Sequence, residues 1–198
     1  MSYITRTLEV DLPAGQSAFL WGARKVGKST YLRQRFPESV VYDFLRTDLL
    51  LEMSKRPALL REQLLARPGA ELSSPVILDE VQKVPQVLDE VHWLIENQGL
   101  SFILCGSSAR KLRRGQPNLL GGRAWRFELL PLTSAEIGDL DLLRALNNGL
   151  IPSHYLERDA TRSLKAYTRD YLKEEVFAEG LTRNMPAFSR FFDAMGAT

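Results

Sequence analysis

Cysteine occurs once in 198 residues, as Cys105. A single thiol excludes an intramolecular disulfide framework and suits a reducing compartment. Its neighbours Phe102, Ile103 and Leu104 predict a buried, inert side chain. Histidine is nearly as scarce: His92 and His154 lie far apart, and no paired Cys or His has metal-ligand spacing, so a zinc site of that kind is not expected. No apolar run is long enough to span a bilayer, and no stretch joins a basic start to an apolar core. A cytoplasmic protein with no membrane partner is therefore expected. Excess charge is missing too. With 26 Lys and Arg against 24 Asp and Glu, global charge offers no argument for nucleic acid binding. Internal repeats and low-complexity tracts are also lacking.

What is present begins with Gly22-Ala23-Arg24-Lys25-Val26-Gly27-Lys28-Ser29. This is glycine, four residues, glycine, lysine and a hydroxyl residue, the pattern of a phosphate-binding P-loop. The glycines let successive backbone N–H groups curl toward one anion. Lys28 can reach β- and γ-phosphates, and Ser29 offers a hydroxyl to Mg²⁺. The following helix turns its positive end to the same charge. The expected nucleotide contacts are Gly22, Ala23, Arg24, Lys25, Val26, Gly27, Lys28, Ser29 and Thr30. Ser17 to Trp21 reads as a buried parallel strand, and Ser29 to Phe36 as the helix, stopped by Pro37. A glycine-rich turn with no ligand is the plainer alternative, but strand, loop and helix come in the order the motif needs.

Strand-like and helix-like segments alternate along the chain, which predicts an α/β architecture with a largely parallel sheet. Val40 to Phe44 is the second strand candidate, followed by helical stretches over Thr47 to Lys55 and Ala58 to Arg67. Pro75 to Glu80 is an apolar strand ending in two acids. Val87 to Asn97 places Val87, Leu88, Val91, Leu94 and Ile95 on one helical face, with Gly99 stopping it. Ser101 to Gly106 is the fourth strand. Trp125 to Leu130 alternates and ends at Pro131, as an edge or last strand would. From about Thr133 the chain reads as helical.

Several residues carry candidate chemistry. Asp79 fits the carboxylate that an apolar strand delivers to a Mg²⁺ shell. Glu80 can polarise a water toward the γ-phosphate as a general base. The alternative is an acidic turn capping the next helix. Ser107, and after it Ser108, could touch the γ-phosphate or the attacking water, or serve as a helix N-cap. Arg123 could neutralise charge on a transferring phosphoryl group, from its own or a neighbouring subunit, or be a surface arginine in a turn. Arg110, Lys111, Arg113 and Arg114 could meet DNA or an acidic partner, with a solvated helix face the plainer reading. His92 reads as a partly exposed helix residue. Tyr167, Tyr171, Phe177, Phe188, Phe191 and Phe192 recur at helical spacing and read as packing residues. No Asn-Lys-x-Asp motif is present, which favours adenine over guanine.

On these residues the chain resembles the prokaryotic AAA-type P-loop ATPases that carry an uncharacterised C-terminal domain. The resemblance covers almost the whole sequence. Its more particular marks are Leu78 to Pro85, Gly106 to Leu112, Leu120 to Ala124, Leu130 to Thr133, and Tyr171 to Glu175, followed by Glu179-Gly180, Arg183-Asn184 and Phe188. It implies a P-loop NTPase fold of the AAA+ type: a three-layer α/β/α core with a parallel five-stranded sheet in the order 5-1-4-3-2, then a helical C-terminal segment. Residues 1–135 would form the ATPase core. Residues 136–198 would hold a helical lid and the start of an incomplete winged-helix-like region, since members of the group continue past this point. The resemblance also implies Ser107 in the sensor position and Arg123 where an arginine finger often lies.

The resulting functional reading is a Mg²⁺-dependent ATPase, with catalytic Lys28, Glu80, Ser107 and Arg123, and with Ser29 and Asp79 at the metal. ATP and Mg²⁺ are the expected ligands. A homo-oligomer, and a DNA or protein partner, stay open. The alternatives are an ATP-dependent switch with little turnover, a DNA-associated ATPase component, and a small-molecule phosphotransferase.

Overall fold

A computed structural model of the chain describes residues 4–107, 120–171 and 184–196. It divides into two compact units, Met1–Leu140 and Asp141–Thr198.

The first unit is built on five parallel strands: β1 (Ser17–Trp21), β2 (Val41–Asp43), β3 (Val76–Asp79), β4 (Phe102–Gly106) and β5 (Ala124–Glu128). Their spatial order is β2-β3-β4-β1-β5, the order 5-1-4-3-2 read from the other side. Helices α1 (Lys28–Arg35), α2 (Thr47–Lys55), α3 (Ala58–Leu65) and α4 (Val87–Gln98) form the crossovers, and a short α5 (Ser134–Ile137) follows β5.

The strand period of two deals side chains to opposite faces of the sheet. Phe19, Val76, Leu78, Phe102 and Leu104 join Met53, Leu60, Leu64, Leu88, Val91 and Leu94 in one core, beneath α2, α3 and α4. Leu20, Ile77, Ile103 and Cys105 join Tyr31 and Leu32 of α1, together with Val10, in a second core on the other face. Two helical layers thus sandwich the sheet. The central strands β1, β3 and β4 are buried on both faces, which explains their near-continuous apolar sequences. Burying one such leucine contributes about 1.5–3 kcal/mol. The hydroxyl of Ser17, also buried, accepts a hydrogen bond from the Phe102 amide. Edge strand β5 leaves Trp125 exposed.

Burial pushes the Cys105 thiol well above its ordinary value, with the nearby Asp79 carboxylate acting the same way. His92 is exposed on α4.

The second unit contains α6 (Leu142–Asn148), α7 (Pro152–Leu156), α8 (Thr161–Tyr171) and α9 (Met185–Gly196). Asn148 donates its side-chain amide to the carbonyls of His154 and Glu157, fastening α6 to α7. The buried His154 ring meets Tyr167 edge-on at 5.3 Å. Tyr167 thus packs as its spacing predicts, whereas Phe191 is 59% exposed. Phe177 lies outside the described residues. Among the described residues no helix is long and apolar enough to cross a membrane.

Candidate functional site

All five strands run the same way, so their C-terminal ends share one edge, where open α/β sheets bind ligands. Neighbouring strands β1, β4 and β3 deliver Gly22, Ser107 and the Asp79-Glu80 pair to that edge.

The loop after β1 is pinned by its first glycine. A Cβ on Gly22 would stand 2.3 Å from the carbonyl oxygen of Leu129, so no side chain fits. The Leu129 amide also donates to the Trp21 carbonyl at 2.8 Å, holding the strand-to-loop junction against the end of β5. Gly27, at φ 96°, precedes α1 without a side-chain cap, and the first turn of α1 carries no acid. Its first N–H groups therefore stay available to an anion. Val26 points into the core, so only its backbone belongs to the loop. Lys25 is exposed at φ 63°, and Ala23 and Thr30 are exposed beside it.

Lys28 is 6% exposed, and its Nζ donates to the carbonyls of Gly22 at 2.7 Å and Ala23 at 2.9 Å. A buried ammonium needs such partners. A phosphate oxygen, being charged, makes a stronger acceptor than either carbonyl. Ser29 Oγ donates to Asp79 Oδ2 at 2.5 Å, and the Glu80 amide donates to Asp79 Oδ1 at 3.0 Å. Asp79 is 4% exposed. A hydroxyl against a carboxylate is an all-oxygen donor pair suited to a hard cation. Mg²⁺ usually takes one or two carboxylates and completes its shell with water and substrate phosphates. The Ser29 hydroxyl and the Asp79 carboxylate fit that ion, the rest of whose shell phosphate and water would complete.

Glu80 has φ 57°, an uncommon conformation for a residue with a side chain. Such backbone strain recurs at functional sites. There its carboxylate Oε2 accepts from Gln82 Nε2 at 2.5 Å, and the same nitrogen donates to Ser107 Oγ at 3.4 Å. The structure therefore brings Lys28, Ser29, Asp79, Glu80 and Ser107 to one edge. Ser108 and the basic segment from Arg110 to Arg114 lie outside the described residues.

Comparison of the sequence with protein families finds a match. The profile of a family described as an AAA domain matches residues 15–138. The chain belongs to this AAA domain family. It is accordingly a nucleotide-binding domain of the AAA ATPase class. No curated protein matches it. Among solved structures, the ORC2 protein of Aeropyrum pernix in ADPNP–ADP complexes is similar at 16% identity and a TM-score of 0.42, over 68% of this chain and 47% of that one. The ADP form of the same protein gives 15% identity and a TM-score of 0.35, over 66% and 46%. The chain thus spans about half the length of these structures.

Arg123 of the AAA domain stands elsewhere. It precedes β5, whose register pairs Ser17 with Ala124 and Trp21 with Glu128. That puts Arg123 at the opposite edge of the sheet from the loop, a strand length of ~16 Å away at about 3.3 Å per residue. Its guanidinium pairs with Glu96 at the surface and holds that carboxyl below its ordinary value.

Two features escaped the sequence reading. Gln82, described above, is one. The other is Arg6, whose side chain is 5% exposed. Its Nη1 donates to the Val26 carbonyl at 2.7 Å, its Nη2 to the Leu130 carbonyl at 2.5 Å, and its Nε pairs with Glu136 at 2.9 Å. Burial works against the charged form of Glu136. The Arg6 guanidinium and the amides of Thr7 and Thr133 outweigh it and lower the carboxyl to about 2. Glu136 also closes a capping box with Thr133 at the start of α5. The Thr133-x-x-Glu136 spacing was a legible signal for the cap. Nothing in the sequence around Arg6 announces a buried charge.

Proposed function

We propose that the chain binds ATP with Mg²⁺ and hydrolyses it to ADP and phosphate. The observation that carries this reading is the contact of Ser29 with Asp79, beside Glu80 at the mouth of the phosphate loop. The amides of Gly22 to Ser29 and the start of α1 bind the phosphate chain. Lys28 exchanges its two loop carbonyls for phosphate oxygens. Ser29 and Asp79 hold Mg²⁺, which neutralises charge on the phosphates when bound. Glu80 accepts the proton of the attacking water, and Ser107 donates to the γ-phosphate or orients that water.

Arg123 serves a neighbouring copy. Its place at the far edge of the sheet argues against action on its own site, and its exposed position before β5 supports presentation to another subunit. Adenine is the expected base, and a cytoplasmic location is in keeping with the composition.

The test is ATP turnover by the wild type, Lys28→Ala and Glu80→Gln. General-base catalysis contributes about 10²–10⁴-fold, so Glu80→Gln keeps nucleotide binding and loses at least about a hundredfold in turnover. Lys28→Ala loses nucleotide affinity as well. Equal rates in all three proteins would reject hydrolysis at this site.

A further inference from the structure

Gln82 is held on a rigid mount. It is the middle residue of a 3-10 turn, Val81–Lys83, closed by the Lys83 amide on the Glu80 carbonyl and the Val84 amide on the Val81 carbonyl. Val81 and Val84 on either side are fully buried in the core beneath α2, α3 and α4. With its backbone anchored, the side chain reaches across the edge of the sheet from β3 to β4. Its bonds go to Glu80 and Ser107.

The amide can face Glu80 in one way. An ionised carboxylate has no proton to give, so the nitrogen must point to it. That leaves Gln82 Oε1 buried without a hydrogen-bond partner among the described residues. The amide also occupies reserved space: a Cβ on Gly106 would lie 2.2 Å from Gln82 Oε1 and 3.2 Å from Cδ. The same Cβ would lie 3.0 Å from Trp21 Cζ3, so Gly106, at the end of β4, is required by the glutamine first and by Trp21 second.

We propose that Gln82 is a positioning residue that fixes the Glu80 carboxylate relative to Ser107. This rests on the hydrolytic reading above. The amide engages Oε2 and leaves Oε1 to accept from the attacking water. Because one nitrogen also meets Ser107, the orientation of the base is tied to the hydroxyl placed to feel the γ-phosphate.

The experiment measures kcat, KM and equilibrium affinity for ATP with magnesium, on the full chain carrying Gln82→Leu, Gln82→Ala, Gly106→Ala, and Gln82→Ala with Gly106→Ala. Gln82→Leu keeps the side-chain volume and removes the donor. It lowers kcat by about tenfold or more, as loss of a group that orients a reacting one does. KM and affinity stay within about twofold, and the thermal midpoint is at or above that of the wild type. Gly106→Ala lowers kcat comparably by displacing the amide, and its effect shrinks once Gln82 is alanine, where only the Trp21 contact remains. Should Gln82→Leu fold poorly, Gln82→Ala reads the same loss.

An unchanged or raised kcat in Gln82→Leu overturns the proposal, as does a loss confined to KM or affinity. So does a Gly106→Ala effect of equal size in both backgrounds. A wild type without turnover, or one matched by Glu80→Gln, would instead sink the hydrolytic reading. Turnover that depends on Glu80 but ignores Gln82 removes this inference alone.

Discussion

Ser29 and Asp79 stand fifty residues apart in the chain and meet at 2.5 Å, the hydroxyl at the start of α1 donating to the carboxylate at the end of β3. Asp79→Asn preserves volume and removes the anionic oxygen. In titrations of ATP with and without magnesium, the wild type gains at least about tenfold in affinity from the metal, a difference of about 1.4 kcal/mol. Asp79→Asn loses most of that gain and keeps its metal-free affinity. An identical magnesium effect in the two proteins would place the ion elsewhere.

Gly22 is closed to any side chain by the Leu129 carbonyl, whereas a Cβ on Gly69 meets nothing within 4 Å. Gly22→Ala therefore distorts the loop and abolishes measurable ATP binding, or prevents folding. Gly69→Ala leaves affinity unchanged and stability within about 0.5 kcal/mol, as surface substitutions do. Calorimetry and thermal melts on the two variants check the contrast.

Glu136 links stability to acid. Its folded value of about 2 lies below the ordinary 4.5, so it favours the folded state above pH 4.5. That contribution declines as pH falls from the ordinary value through the folded one. It is on the order of 3 kcal/mol when fully present. Denaturant melts of the wild type between pH 5 and 2 show this decline, and Glu136→Gln flattens it. Arg6→Ala, which strands a buried carboxylate, destabilises by about 3–5 kcal/mol near neutrality.

Arg123 yields a prediction about mixtures. Arg123→Ala retains the wild-type affinity for ATP and loses turnover, and Glu80→Gln is inactive for a different reason. Mixing the two lets an intact Arg123 face an intact Glu80 across a subunit boundary. The mixture then exceeds the summed activity of its parts. No gain at any protein concentration would exclude action between copies.

The strands and the loop were legible because each carries a local signature, whereas the strand order followed only from the family resemblance. Continuous apolar runs marked β1, β3 and β4, and the spacing of Gly22, Gly27, Lys28 and Ser29 marked the strand-to-helix loop proposed to hold phosphate. Helix α2 falls on Thr47–Lys55, as its sequence reads, while α3 ends at Leu65 before Pro68 and Gly69. What stayed hidden were contacts between distant segments. Arg6 and Glu136 are 130 residues apart, and neither shows in sequence that burial will force them together. Gln82 sits in a recognisable stretch, but its reach to Ser107 depends on β3 and β4 being neighbours. Arg123 could be placed at the far edge only once β5 had a register with β1.

The family profile starts at residue 15, nine positions beyond Arg6. A fragment trimmed to those limits would look complete on paper. It would keep Glu136 without its cation, and Tyr31 without the Leu8 carbonyl and Val10 amide that its hydroxyl bridges. Arg6, Leu8 and Val10 thus act as a splint for the loop proposed to hold phosphate, and excising them would weaken nucleotide binding although every signature residue remained.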